Sequence, residues 1–109
     1  MTFTEITESF SVAPQIRPDD VQEIAALGFR SIMCNRPDGE APGQPAAADI
    51  RAEAARHGLA FAFLPVVSGR IEEDDVEAFR AAIGEIPGPV LAYCRSGTRC
   101  QNLWMLVQR

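Results

Sequence analysis

Short apolar runs alternate with amphipathic stretches along the whole chain. Phe10-Ser11-Val12-Ala13 reads as a first strand, ended by Pro14, which has no N–H to give a ladder. Pro18 suits the first position of a helix, with Asp19 and Asp20 favourable at its positive end and Val21, Ile24 and Ala25 on one face. Gly28 stops that helix. An apolar-leaning strand, Phe29 to Cys34, leads into a turn-rich loop from Asn35 to Pro45, and a second helix runs from Ala46 to His57, ending at Gly58. The third strand, Leu59 to Val67, is nearly all apolar, which predicts a central strand covered on both faces. A third helix follows from Glu72 to Ile83, with four acidic residues at its start and Val76, Phe79 and Ile83 at helical spacing. Gly88 and Pro89 introduce a fourth strand, Val90 to Tyr93, and the chain turns at Cys94 into a last helix from Arg99 to Arg109. Strand and helix alternate, so the predicted class is α/β with a mostly parallel central sheet flanked by helices.

Composition narrows this picture. The 109 residues, 47% hydrophobic and 23% charged, match one ordinary domain with a single core. The net charge is -5, every basic residue is an arginine, and no basic run exists, so neither nucleic acid nor membrane is the expected partner. Three cysteines, with no CxxC and no His cluster, indicate neither a disulfide framework nor a metal site, and reduced thiols point to a cytoplasmic protein. No stretch reaches the ~20 apolar residues of a membrane span, and the first residues lack the pattern of a secretion signal. The last helix carries Leu103, Trp104, Leu106 and Val107 without a glycine or proline stop. Two readings stand: a domain cut short at its C-terminus, or a homo-oligomer packed through that helix.

The chemistry concentrates where the fourth strand ends. Cys94-Arg95-Ser96-Gly97-Thr98-Arg99 puts a cysteine at the carboxyl end of a strand, where open α/β sheets bind ligands. Loop N–H groups of residues 95 to 99 can converge on an anion, helped by the helix N-terminus behind them, and Gly97 permits the tight backbone. The same field favours a thiolate, which makes Cys94 a nucleophile at neutral pH. Arg99 adds a bidentate donor suited to phosphate, sulfate or thiosulfate. The expected partner is therefore a small anionic substrate, a phosphate ester or a sulfur donor, with no cofactor required.

Asn35-Arg36-Pro37-Asp38-Gly39-Glu40 after the second strand, Phe63-Leu64-Pro65-Val66 in the third, and the Cys94–Arg99 loop together resemble the beta-lactamase hydrolase-like, phosphatase-like domain family (DUF442), akin to dual-specificity and tyrosine phosphatase-like folds. The resemblance spans almost all of residues 1–109 as a single domain. It implies a tyrosine-phosphatase-like fold whose active loop lies between the last strand and the last helix, with Cys94 as nucleophile and Arg99 as anion clamp. Three departures matter. The loop is Cys-x4-Arg, one residue shorter than the Cys-x5-Arg of tyrosine phosphatases, and so also resembles the loop of rhodaneses, which carry sulfur as a cysteine persulfide. Cys100 stands where both families place Ser or Thr, which makes it a possible resolving thiol for Cys94. The loop after the third strand, Val66 to Arg70, lacks the Asp that serves such phosphatases as general acid, leaving Asp38, with Glu40 beside it, as the substitute.

Cys34, the lone His57 and Trp104 read as packing or helix-end residues. The expected function is a cysteine-dependent, phosphatase-like hydrolase acting through a phosphocysteine. The alternatives are sulfur transfer through a Cys94 persulfide and a non-catalytic anion-binding module.

Overall fold

The computed structural model covers residues 1–109. Five strands, β1 (Thr4–Thr7), β2 (Phe10–Ala13), β3 (Ser31–Cys34), β4 (Ala60–Phe63) and β5 (Val90–Tyr93), form one sheet in the order β1-β2-β5-β3-β4. The pairs β2/β5, β5/β3 and β3/β4 are parallel, and β1 alone is antiparallel, to β2. Helices α1 (Val21–Ala26), α2 (Ala47–Arg56), α3 (Glu73–Glu85) and α4 (Thr98–Val107) flank this mostly parallel sheet, and a 3₁₀ turn at Pro18–Asp20 leads into α1.

Strand alternation divides the apolar residues into two cores. Leu91 and Tyr93 of β5 and Ile32 and Cys34 of β3 pack against Val21, Ile24, Ile50 and Ala54 of α1 and α2. Val90, Ala92 and Met33, with Phe10 and Val12, face Val76, Phe79 and Leu103 of α3 and α4. The central strands β2, β3 and β5 are buried at every residue, as a sheet covered on both faces requires. Acidic residues open α3 as the sequence predicts: the Glu72 N–H donates to Asp75 Oδ2 at 2.9 Å.

Two expectations need correction. β1 was not anticipated, because Thr4-Glu5-Ile6-Thr7 has one strongly apolar residue and lies at the sheet edge, where burial leaves little pattern. The third strand is shorter than its apolar run and is not central: β4 stops at Phe63, pairs only with β3, and is half-buried along its length. The rest of that run leaves the ladder, with the Leu64 N–H donating to the Cys34 carbonyl at 2.9 Å and the Val66 N–H to the Asn35 carbonyl at 3.0 Å. Val66 is thereby buried, in the same core cluster as Cys94, Cys100 and Leu103. In α4, apolar side chains pack within the chain. Leu103 is fully buried, Trp104 stacks on Phe10 at 4.3 Å, and Leu106 and Val107 pack on the same core, leaving Met105 60% exposed.

Candidate active site

β5 ends at Tyr93, and the chain turns through Cys94–Gly97 into α4. Gly97 makes the turn possible: its φ of 95° is left-handed, and the Ala13 backbone lies 3.5 Å from where a Cβ would stand. The loop is tied to the end of β2, since the Cys94 N–H donates to the Ala13 carbonyl at 3.4 Å and the Gln15 N–H to the Arg95 carbonyl at 3.2 Å.

The Cys94 sulfur lies inside this turn, 1% exposed, and donors surround it. The Gly97 N–H reaches it at 3.1 Å. The Cys100 thiol, followed by the N–H groups of Cys100, Gly97 and Arg99, outweighs the penalty of burial and brings the Cys94 pKa from 9.0 down to about 5. The surroundings of Cys94 thus favour its ionised form. Burial and the neighbouring Cys94 sulfur push the Cys100 thiol well above its ordinary value, so it stays protonated and can donate.

Arg99, 6% exposed, is held rigidly beside this sulfur. Its Nη1 donates to Glu40 Oε2 at 2.8 Å and to the Val66 carbonyl at 2.9 Å, and its Nη2 donates to Glu40 Oε1 at 2.9 Å. Three of the five guanidinium hydrogens are thus engaged, and Nε–H with one Nη2–H remains as a free bidentate edge. Glu40 Oε1 also accepts from Arg36 Nε at 2.9 Å, while Arg36 Nη1 donates to Gln15 Oε1 at 3.0 Å. Arg99 first, with Arg36, holds the Glu40 carboxyl down from 4.5 to about 2. Sequence reading takes Arg36 only as part of the Asn35–Glu40 segment, does not single out Gln15, and does not show that Glu40 holds Arg99. A charge-neutralising partner for a buried arginine was the one signal available, and it selects no position among 15 acidic side chains.

A polar cavity of about 330 Å3 opens over the loop, lined by Arg95, Ser96, Thr98, Arg99, Asn102 and Ile71 among others. Ser96 Oγ and Thr98 Oγ1 lie 3.1 Å apart. The structure thus gathers Cys94, Arg95, Ser96, Gly97, Thr98, Arg99 and Cys100 in one place. Asp38 is not among them: its Oδ1 accepts the Ala47 N–H at 2.8 Å at the start of α2, and it lines a separate cavity with Phe61 and Phe63. Glu40 does reach Arg99, but as an ionised partner with no proton to give at neutral pH. No group of three or more His, Cys, Asp or Glu side chains is arranged to hold a metal ion.

A mostly parallel sheet with a cysteine loop running from a central strand into a helix N-terminus is, by its likeness to solved structures, a tyrosine-phosphatase-like α/β fold. Within it, the chain belongs to the family described as beta-lactamase hydrolase-like protein, phosphatase-like domain, whose model matches residues 2–109. It is 42% identical over 106 residues to the beta-lactamase hydrolase-like protein of Xylella fastidiosa, covering 97% of this chain and 25% of that protein. The chain thus spans about a quarter of the length of the curated relatives it matches. Among solved structures it superimposes on a candidate phosphatase from Neisseria meningitidis Z2491 with a TM-score of 0.88 at 43% identity, covering 95% of this chain and 74% of that one. The catalytic core of the PP-IP phosphatase Siw14 from S. cerevisiae, 14% identical, matches with a TM-score of 0.67 over 87% of this chain and 56% of its own, a likeness of fold alone. The domain is phosphatase-like in fold and family.

Proposed function

We propose that this domain is a cysteine-dependent hydrolase of phosphomonoesters. The observation that carries the reading is the Cys94 sulfur, reached by the Gly97 N–H at 3.1 Å within the turn into α4 and set beside the free edge of Arg99. Cys94 Sγ attacks phosphorus in line with the leaving oxygen, the loop amides and Arg99 hold the three equatorial oxygens, and a phosphocysteine forms. Water then attacks phosphorus, the P–S bond breaks, and phosphate leaves with the thiolate restored. Neither Glu40 nor Asp38 supplies a proton in this scheme, so substrates with weakly basic leaving groups are favoured, an alkyl phosphate losing roughly 10² to 10⁴ in rate.

One observation favours a second reading, sulfur transfer. The loop has the Cys-x4-Arg length of rhodaneses, and the thiol beside Cys94 belongs to Cys100, a second sulfur where an ordinary hydroxyl would do. In that reaction Cys94 takes the outer sulfur of thiosulfate as a persulfide, sulfite leaves with the bonding electron pair, and a thiolate or cyanide removes the sulfur. Phosphate release from p-nitrophenyl phosphate, run beside thiocyanate formation from thiosulfate and cyanide, separates the two. Turnover in neither assay, with an oxyanion still bound at the loop, leaves an anion-binding module.

A further inference from the structure

The cavity over the loop that follows Cys94, lined by Arg95, Ser96, Thr98 and Arg99, has an uneven charge balance. Arg99 and Arg36 are matched with Glu40, through bonds of 2.8 to 2.9 Å, and the Cys94 thiolate adds a further negative charge beneath them. Arg95 is different. It follows the nucleophile directly, is exposed on the cavity wall, and its guanidinium takes part in no ion pair and no side-chain hydrogen bond. The remaining lining offers hydroxyls from Ser68, Ser96 and Thr98 and the amide of Asn102, with Ile71 the one hydrophobic side chain. No aromatic ring is present to grip an aryl group, and no carboxylic acid to protonate a departing alkoxide.

We propose that Arg95 is a specificity-determining residue that receives the leaving side of the substrate, and that this side already carries negative charge before reaction. The proposal rests on the Cys94 nucleophile of the reading above and goes beyond phosphomonoesters to donors whose leaving group is already charged. On the phosphoryl route the substrate is a phosphoanhydride: the Cys94 Sγ–P bond forms, the bridging P–O bond breaks, and the electron pair departs on a phosphate oxygen paired with Arg95. Water then releases the second phosphate. On the sulfur route it is thiosulfate or a thiosulfonate: Sγ–S forms, S–S breaks, and the sulfite or sulfinate leaves with the pair toward the same guanidinium. Both leaving groups are anions of acids strong enough to depart unprotonated, which suits a cavity without an acid. The guanidinium also compensates for bringing a polyanion up to a thiolate.

The test is a comparison of kcat/KM for wild type, Arg95→Gln and Arg95→Lys on inorganic pyrophosphate, thiosulfate with cyanide, and p-nitrophenyl phosphate. The last has a leaving group of comparable acidity but no charge on it beforehand. Arg95→Gln is expected to lower kcat/KM on whichever anionic donor the wild type uses by about tenfold to hundredfold, the scale of one charge-assisted hydrogen bond. On p-nitrophenyl phosphate the fall should be several-fold smaller, and Arg95→Lys should recover part of the loss by keeping the charge. Pyrophosphate and thiosulfate as separate arms tell the phosphoryl source from the sulfur source. An equal fall on p-nitrophenyl phosphate and the anionic donors, or wild-type turnover of p-nitrophenyl phosphate alone, overturns the role of Arg95 and leaves the cysteine reading standing. No turnover of any of the three overturns both. Circular dichroism melts of the Arg95 variants check that the fold is kept.

Discussion

Two neighbouring strands end in cysteines, and the protein treats them in opposite ways. Cys34 closes β3 and Cys94 follows β5 directly, on parallel strands in which Cys34 aligns with Tyr93. Both are buried, yet one thiol titrates upward and the other downward. Cys34 points into the core against α1 and α2, where burial pushes its pKa up and outweighs its hydrogen bonds with Tyr93 and the Arg36 backbone. Cys94 falls one register later, on the face of α3 and α4, where the chain turns and its N–H groups point back at the sulfur. Depth of burial does not make a reactive cysteine. The balance between burial and the hydrogen bonds to the sulfur does: those bonds lower the pKa of both thiols, but burial outweighs them at Cys34 and not at Cys94.

The sharpest way to break this comparison is to remove each sulfur. Cys94→Ser should lower turnover by roughly 10³-fold or more on any substrate, because a serine hydroxyl in the same place is not ionised. Cys34→Ser should keep turnover within a few-fold and cost instead about 1 to 3 kcal/mol of stability by placing a hydroxyl in an apolar core. Steady-state rates and denaturant melts of the two variants read this directly; comparable activity loss in both would end the distinction.

The next largest effect belongs to Glu40, which fixes Arg99 against the loop from 59 residues away. Glu40→Gln should lower kcat/KM about tenfold to hundredfold, since a loosened guanidinium no longer presents its free edge in one orientation. The acid limb gives a second readout. A carboxyl whose folded pKa of about 2 lies below its ordinary 4.5 stabilises the fold fully above the ordinary value and loses that contribution as pH falls from there toward 2. Wild type should therefore lose stability between pH 4.5 and 2 more steeply than Glu40→Gln. Parallel acid melts of the two proteins would contradict the pairing.

How much of this was legible beforehand follows from the range of each interaction. The Cys94 loop was readable because strand, cysteine, glycine, arginine and helix are contiguous, and each makes its own local demand on the backbone. The class of fold followed from the alternation of apolar runs. Glu40 was noticed as a candidate acid but its use was not, because nothing local distinguishes a carboxylate that donates protons from one that holds an arginine. Asp38 misled in the same way: beside Gly39 in a turn it could face the loop, and only the packing of α2 shows it satisfying the Ala47 N–H. The length of the third strand was overread because Leu64 and Val66 are apolar for another reason, packing in the core cluster of Val76, Phe79 and Leu103, while the Val66 carbonyl accepts from Arg99 Nη1.

A titration by alkylation sharpens the contrast without a mutation. Iodoacetamide followed by intact-mass and peptide analysis should modify Cys94 with a rate that rises through pH about 5 and levels off by neutrality. Cys34, whose pKa is raised, should stay unmodified in the folded protein at neutral pH. Uniform labelling of both cysteines, or a Cys94 profile that rises only in the alkaline range, would contradict the opposed environments.

The finest probe is Cys100, whose thiol is the first of the groups that lower the Cys94 pKa. Cys100→Ala removes that donor and should move the alkylation midpoint of Cys94 upward by about one pH unit, the scale of one hydrogen bond to a charged sulfur. Cys100→Ser keeps a donor and should hold the midpoint near wild type. A hydroxyl there should also speed breakdown of the phosphocysteine, by roughly twofold to tenfold if one hydrogen bond to the departing sulfur is at stake. The same substitution should weaken resistance to oxidant. Peroxide converts the Cys94 thiolate to a sulfenic acid, and the Cys100 thiol, packed in the same core cluster, can condense with it to a disulfide and release water. That step needs Cα atoms within about 7 Å, which a tight turn into a helix start permits. Intact mass after peroxide should show a loss of two hydrogens in wild type, reversed by dithiothreitol, and stepwise oxygen addition in Cys100→Ser. Equal over-oxidation of both proteins would leave Cys100 as a hydrogen-bond donor to the thiolate and nothing more.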